Sequence, residues 1–212
     1  RFTPLKRLGG LHDGSAVISD RVSLAVKGSL PQGATFTFGE IVAVTDTDDA
    51  IIQRVRAHTS EGSLLQIAAN TELPEPIYLH RASSALDAAE FARTQIRVGN
   101  HAKATIVMEN AGDTLLAEDL EIIVEPGAHL TFIALQEWGA KTIHAARHHA
   151  VVDRDATFTS VVVTVGGDVV RLLPTVDFVA PGASCDLAGV YFATEGQFFE
   201  HRMFVDHKVA HA

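Results

Sequence analysis

Short runs of alternating apolar and polar residues, separated by turn residues, fill most of the chain. Glu121-Ile122-Ile123-Val124-Glu125 runs into Pro126-Gly127 and leaves through Leu130-Thr131-Phe132-Ile133-Ala134-Leu135. Ala150-Val151-Val152-Asp153 runs into Arg154-Asp155, and an alternating stretch from Phe158 to Val165 follows. Val, Ile, Phe and Thr at period two predict strands with one side turned inward. The turns share a phrase: a turn residue, then Ala, then alternating side chains. It reads Gly127-Ala128-His129-Leu130, Asp155-Ala156-Thr157-Phe158 and Gly182-Ala183-Ser184-Cys185, with a weaker copy at His101-Ala102-Lys103-Ala104. The alanines are 26, 28 and 27 residues apart (102 to 128 to 156 to 183).

A near-constant period of this size predicts a stacked architecture. One unit of about 27 residues holds two or three short strands, too few to cover its own apolar flank. Stacking on the next unit would cover it, so the chain is expected to be all-β, a parallel β-helix with like strands paired coil to coil. A small Ala at the corner suits a tight bend between coils. The competing fold is a β-sandwich, whose strands come as often but need no fixed period. The first third is less regular. Gln32-Gly33-Ala34-Thr35-Phe36-Thr37-Phe38 repeats the phrase, but Leu73-Pro74-Glu75-Pro76 and Arg81 to Ala85 read as an excursion from the coil. Ser84 to Glu90 reads as a short capped helix or a loop.

Composition narrows the class. The 212 residues are 47% apolar and 20% charged, consistent with one globular domain, and no apolar run reaches membrane-span length. The net charge of −9 and the lack of any Lys/Arg run argue against a nucleic-acid scaffold, which needs a basic face. Full protonation of the eleven histidines would carry it to +2. Most of those histidines are expected on exposed turns and strand faces. Cys185 is the only cysteine, so no internal disulfide forms and the cytoplasm is the expected compartment. The start at Arg1 and the stop within a strand-like pattern read as an internal fragment, a single core domain over 1–212.

Candidate chemistry is densest at Phe199-Glu200-His201-Arg202-Met203-Phe204-Val205-Asp206-His207-Lys208-Val209-Ala210-His211. Imidazoles and carboxylates at this density suit divalent metals. At strand spacing, however, 201, 205, 207 and 211 share one face while Glu200 and Asp206 share the other. The histidines are then too far apart to close on one ion without a bend. His144 and His148 face the same objection. A carbohydrate-active β-helix would align acids on adjacent coils. A shift of one 27-residue period sets Asp206 on Val179 and Asp177 on Ala150, so no acid meets an acid. Cys185 falls in register with Leu130 and Phe158, which marks it as a core side chain.

Several longer phrases resemble the SufB/SufD family of iron–sulfur cluster assembly proteins. They are Ile123-Val124-Glu125-Pro126-Gly127-Ala128-His129-Leu130, Gln136-Glu137-Trp138, Val163-Thr164-Val165-Gly166-Gly167-Asp168-Val169-Val170-Arg171 and Gly189-Val190-Tyr191-Phe192-Ala193. Gln197-Phe198-Phe199-Glu200-His201-Arg202 and the run from Val205-Asp206-His207 to His211 complete the set. The Gly-Gly-Asp and Gly-Val-Tyr-Phe-Ala phrases are closer to the SufD side of the family. The resemblance implies a right-handed parallel β-helix core, with N- and C-terminal helical regions lying outside this chain. It implies a non-catalytic scaffold role in a SufBCD complex that assembles iron–sulfur clusters and transfers them. A SufB-like subunit and a SufC-like ABC ATPase are the implied partners, the latter through the missing C-terminal region; a homodimer is the other arrangement to test. His201, Asp206, His207 and His211 occupy family-motif positions with no assigned role. No tightly bound cofactor is expected in this chain, and iron or a cluster would belong to the full complex. A carbohydrate-active β-helix enzyme and a metal-binding β protein remain the competing functions.

Overall fold

The structure is a computed structural model that describes residues 3–19, 21 and 23–209. After a 3-10 turn at Leu5–Arg7 come β1 (Ile18–Ser19), β2 (Leu24–Val26), β3 (Ala34–Glu40), α1 (Ala50–His58), β4 (Glu61–Ile67), β5 (Ile77–Val98) and β6 (Lys103–Val124). Then follow β7 (His129–Trp138), β8 (Ile143–Val152), β9 (Thr157–Thr164), β10 (Val169–Phe178), β11 (Ser184–Tyr191), β12 (Phe198–His201) and β13 (Phe204–His207). Strands take up 57% of the chain, and they form a parallel β-solenoid of about five turns.

The solenoid has two faces. On face A the first half of β5, the first half of β6, β7, β9 and β11 lie side by side in parallel. On face B the order is β4, the second half of β5, the second half of β6, β8 and β10, closed by β12 and β13. At one corner, Lys103, His129, Thr157 and Ser184 are successive register partners, so the alanine before each forms a column. His129, Thr157 and Ser184 each donate a backbone hydrogen bond to the alanine carbonyl of the coil before, at 2.8, 2.9 and 3.0 Å. Ala102, Ala128 and Ala156 are fully buried, and Ala183 packs against the same core.

The turn residue of the phrase has its own reason. His101, Gly127, Asp155 and Gly182 all have positive φ, between 55° and 78°. This left-handed bend suits Gly, and among other residues it suits short polar side chains best. The side chains of His101 and Asp155 cover the hydrogens of Gly127 and Gly182 in the next coil, where an added Cβ would sit 2.3 and 2.1 Å from them.

The two faces are buried differently. β9 alternates half-buried and buried residues, because only its inner side is covered. β8 and β10 are buried along nearly their whole length. Their outer side lies under the N-terminal segment and α1: Leu8, Leu11, Ile51 and Val55 pack on Ala89, Phe91, Ala117, Ala145 and Val169. Asp49 caps α1 by accepting from the backbone N–H of Ile51 and Ile52, and its other oxygen lies 2.5 Å from Arg171 of β10.

Three expectations for the first third are corrected. The Gly33-Ala34 phrase does not open a coil, since β3 runs antiparallel to β4 and caps the end of face B. Arg81 to Ala85 is no excursion: it belongs to β5 and pairs with β6. Ser84 to Glu90 is neither helix nor loop but continues β5, with a register irregularity between Ala85 and Ala89. Pairing with β6 along a whole coil outweighs the local capping signal.

If the alanine column sets the corner, Ala128→Leu should destabilise by about 1–3 kcal/mol, because the coils above and below leave no room for the added carbons. Urea unfolding, compared with the same change at the exposed Ala43, checks this.

Candidate functional site

Inward-facing positions of most coils are apolar, but one layer inside the solenoid is polar. From face A it receives Arg81, Asn110 and Gln136, and from face B Glu118, His144 and His148, all buried. Arg81 Nη2 donates to Glu118 Oε1 at 2.8 Å, and Nη1 approaches Asn110 Oδ1 at 3.4 Å. Thr94 adds a 3.3 Å contact to the same Glu118 oxygen. His144 Nε2 is 3.7 Å from Glu118 Oε2, too long for a hydrogen bond, and its ring meets Trp138 edge-on at 5.1 Å. Trp138 Nε1 in turn donates to Gln136 Oε1 at 2.6 Å. The row continues through His148, edge-on to Phe132, to His201, whose Nε2 lies 3.1 Å from Thr164 Oγ1.

Charge in this layer is set by burial and by Arg81. Burial works to raise the Glu118 carboxyl, but the adjoining guanidinium outweighs it and holds the group well below the usual carboxylate range. Burial lowers His144 against the pull of Glu118, and it lowers His148 to about 4. The layer at neutral pH is one guanidinium–carboxylate pair flanked by neutral imidazoles.

A second polar ladder lies on the outer side of face B. Arg56 of α1 reaches Asp119 at 2.6 Å and Glu121 at 2.9 Å, and Arg147 of β8 reaches the same two acids at 3.0 and 3.5 Å. Beyond it opens a groove of about 840 Å³ between residues 43–49 and strands β8, β10 and β13. His149 lies in this groove with its Nδ1 2.6 Å from Thr175 Oγ1, and burial lowers it to about 4. The expectation that the histidines sit mainly on exposed positions is therefore corrected for His144, His148 and His149, which are buried.

The sequence-derived candidates divide between these places. His201, Val205 and His207 align over the inward positions Leu172, Val176 and Phe178; Glu200 and Asp206 align over Arg171 and Asp177 on the outer side. His207 meets the Phe178 ring edge-on at 5.0 Å. His211 lies outside the described residues. No group of three or more His, Cys, Asp or Glu able to hold a metal ion is present among the described residues. Glu200 anchors the N-terminal segment by accepting from the Thr3 backbone N–H and hydroxyl. The expected absence of aligned acids is corrected: Asp206 lies directly over Asp177, because the local offset is 29 residues (177 to 206) and not 27. Lys208 stands 2.7 Å from Asp177. Cys185 does pair with Phe158, which pairs with Leu130.

The solenoid's last coil leaves an open end. Among the described residues β11 pairs only with β9, and β12 and β13 pair only with β10. Val190, Tyr191 and Phe192 on one face and Met203, Phe204 and Val205 on the other are exposed. Residues 80–212 match the SufBD core domain of the SUF system for FeS cluster assembly. The chain belongs to the SufBD family. It is 34% identical over 98% of its length to an iron–sulfur cluster assembly SufBD family protein of Mycobacterium leprae, covering 54% of that protein. It is 32% identical over 98% of its length to one from Mycobacterium tuberculosis, covering 53% of it. The chain thus spans about half the length of the curated relatives it matches. Among the described residues no helix is long and apolar enough to cross a membrane.

The interior polar layer of this SufBD core gives two predictions. Glu118→Ala should cost about 3–5 kcal/mol by stranding the Arg81 charge, whereas Glu118→Leu combined with Arg81→Met should recover most of that loss in chemical denaturation. His148 has a folded pKa of about 4 against an ordinary 6.5. The unfolded chain therefore takes up the proton first, and the stability from neutral His148 is complete above pH 6.5 and lost as pH falls towards 4, by about 3 kcal/mol. Urea midpoints between pH 7.5 and 4.5 should fall for the native chain and fall less for His148→Leu.

Proposed function

We propose that the chain is the β-helix core of a non-catalytic scaffold subunit in a cytoplasmic SufBCD-type complex that assembles and transfers iron–sulfur clusters. The observation that carries this reading is the open end of the solenoid. Unpaired strand edges are ready templates for another chain, and here they carry four exposed apolar side chains, with Phe192 and Met203 beside them. A SufB-like subunit is the occupant proposed for this end, with a second copy of the chain as its rival. A SufC-like ATPase would bind through sequence beyond this chain, in the half of the relatives' length that it does not cover. His201, Asp206 and His207 lie in the coil that forms the open end, so their place in the motif fits a role at the contact. The cluster is cargo of the complex in this reading, with no resident cofactor in the core.

The carbohydrate-active alternative has one observation in its favour, the alignment of Asp206 with Asp177 beside the 840 Å³ groove. Lys208 stands 2.7 Å from Asp177 and would compete with a substrate for that carboxylate. Co-expression of the longer protein with SufB-like and SufC-like partners should give a co-purifying complex. Tyr191→Asp with Phe204→Asp should release it while far-UV circular dichroism stays unchanged. A complex that ignores both substitutions, or none at all, contradicts the reading, and sugar release from a polysaccharide panel would revive the alternative.

A further inference from the structure

At the other end of the solenoid a pocket of about 330 Å³ opens between β1, β2, β4 and the middle of β5. It reaches the interior polar layer through Arg81, and Glu90 lines it beside that layer. Each is essentially inaccessible to solvent, at 0% and 1% exposure, and each keeps one polar atom without a hydrogen-bond partner. The two terminal nitrogens of Arg81 are engaged by Glu118 and Asn110 of the next coil, which leaves Nε–H unpaired. One Glu90 oxygen accepts from the Ser23 backbone N–H and hydroxyl, and the other, Oε2, accepts from nothing. Ser63 and Thr94 also line it, and Leu24 and Phe38 add apolar surface.

A buried donor and a buried acceptor, both charged and both unpaired, each cost free energy until something fills the demand. One water occupies about 30 Å³, so the pocket is an order of magnitude too large for a single bridging water and falls in the range of small-molecule sites. Arg21, Arg93 and Glu61 line the pocket as well, and Arg93 has Nε and Nη2 without partners, so both signs of charge face it. An inorganic anion would satisfy the arginines and be repelled by Glu90; a simple cation would do the reverse. A zwitterion on one carbon, with an apolar group beyond it, meets both charges and the apolar wall together. We propose that this pocket binds a free α-amino acid with an apolar side chain, its carboxylate on Arg81, its ammonium on Glu90 and its side chain against Leu24 and Phe38.

Titration calorimetry with L-leucine, L-methionine and L-phenylalanine tests the site. At least one of the three should bind. N-acetyl-L-leucine, which lacks the ammonium, and L-leucinamide, which lacks the carboxylate, should bind at least about tenfold more weakly than the free acid. Glu90→Gln should weaken binding to the same degree. Ser19→Trp, which fills the pocket from β1 and leaves both charges in place, should abolish binding without changing the circular dichroism spectrum; it decides the matter if Glu90→Gln does not fold. Absence of heat with all three amino acids at millimolar concentration overturns the proposal. So does equal binding of the blocked derivatives, or binding of sodium sulfate in preference to any amino acid.

Discussion

The parallel backbone ladder between coils is the constraint on which the rest of the structure depends. No coil covers its own apolar flank, and the ladder decides which residue of the next coil covers it. Once Lys103, His129, Thr157 and Ser184 are in register, the residues before them must share one corner. That corner has room for alanine and for a left-handed bend before it. The same registration governs the interior. A charge pointing inward cannot reach water, so it must find its partner on a facing strand or in the adjoining coil. Arg81 does both, with Asn110 beside it and Glu118 across the interior.

Face B shows what happens when both sides of a sheet are used. The N-terminal segment and α1 cover its outer side, with apolar residues over Ala117 and Ala145 and ion pairs over Asp119 and Glu121. The pairs are shared: two arginines from different elements serve the same two acids. The helix is therefore fixed to β6 and β8 through charge as well as through packing. Residues 43–49, which lead into it, form one wall of the groove.

Much of this architecture is legible in the sequence because it depends on local pattern. The alanine spacing, the positive-φ residue before each alanine and the Cys185–Phe158–Leu130 register follow from turn chemistry and alternation. The helix α1 is not legible in the same way. Ile51, Ile52 and Val55 are too short a pattern to separate from a strand, and Asp49 is one of several acids in its stretch. The interior polar layer is hidden for a different reason. In a strand with both sides buried, alternation between polar and apolar residues no longer says which side is inside, so Glu118, His144 and His148 read as outward residues. The alignment of Asp206 with Asp177 is missed by the 27-residue offset, because strands keep register while turns differ in length.

That inequality of turns has an evolutionary meaning. Ala85 pairs with Thr114 and Ala89 with Leu115, so the first coil carries three residues at its corner that its neighbour lacks, and the ladder resumes beyond them undisturbed. Corners can thus gain or shed residues without loss of the pairing on either side. Lineages of such a protein would diverge first by insertion and deletion at these bends, and comparison between distant members would need gaps placed there, with the strands serving as the fixed ruler.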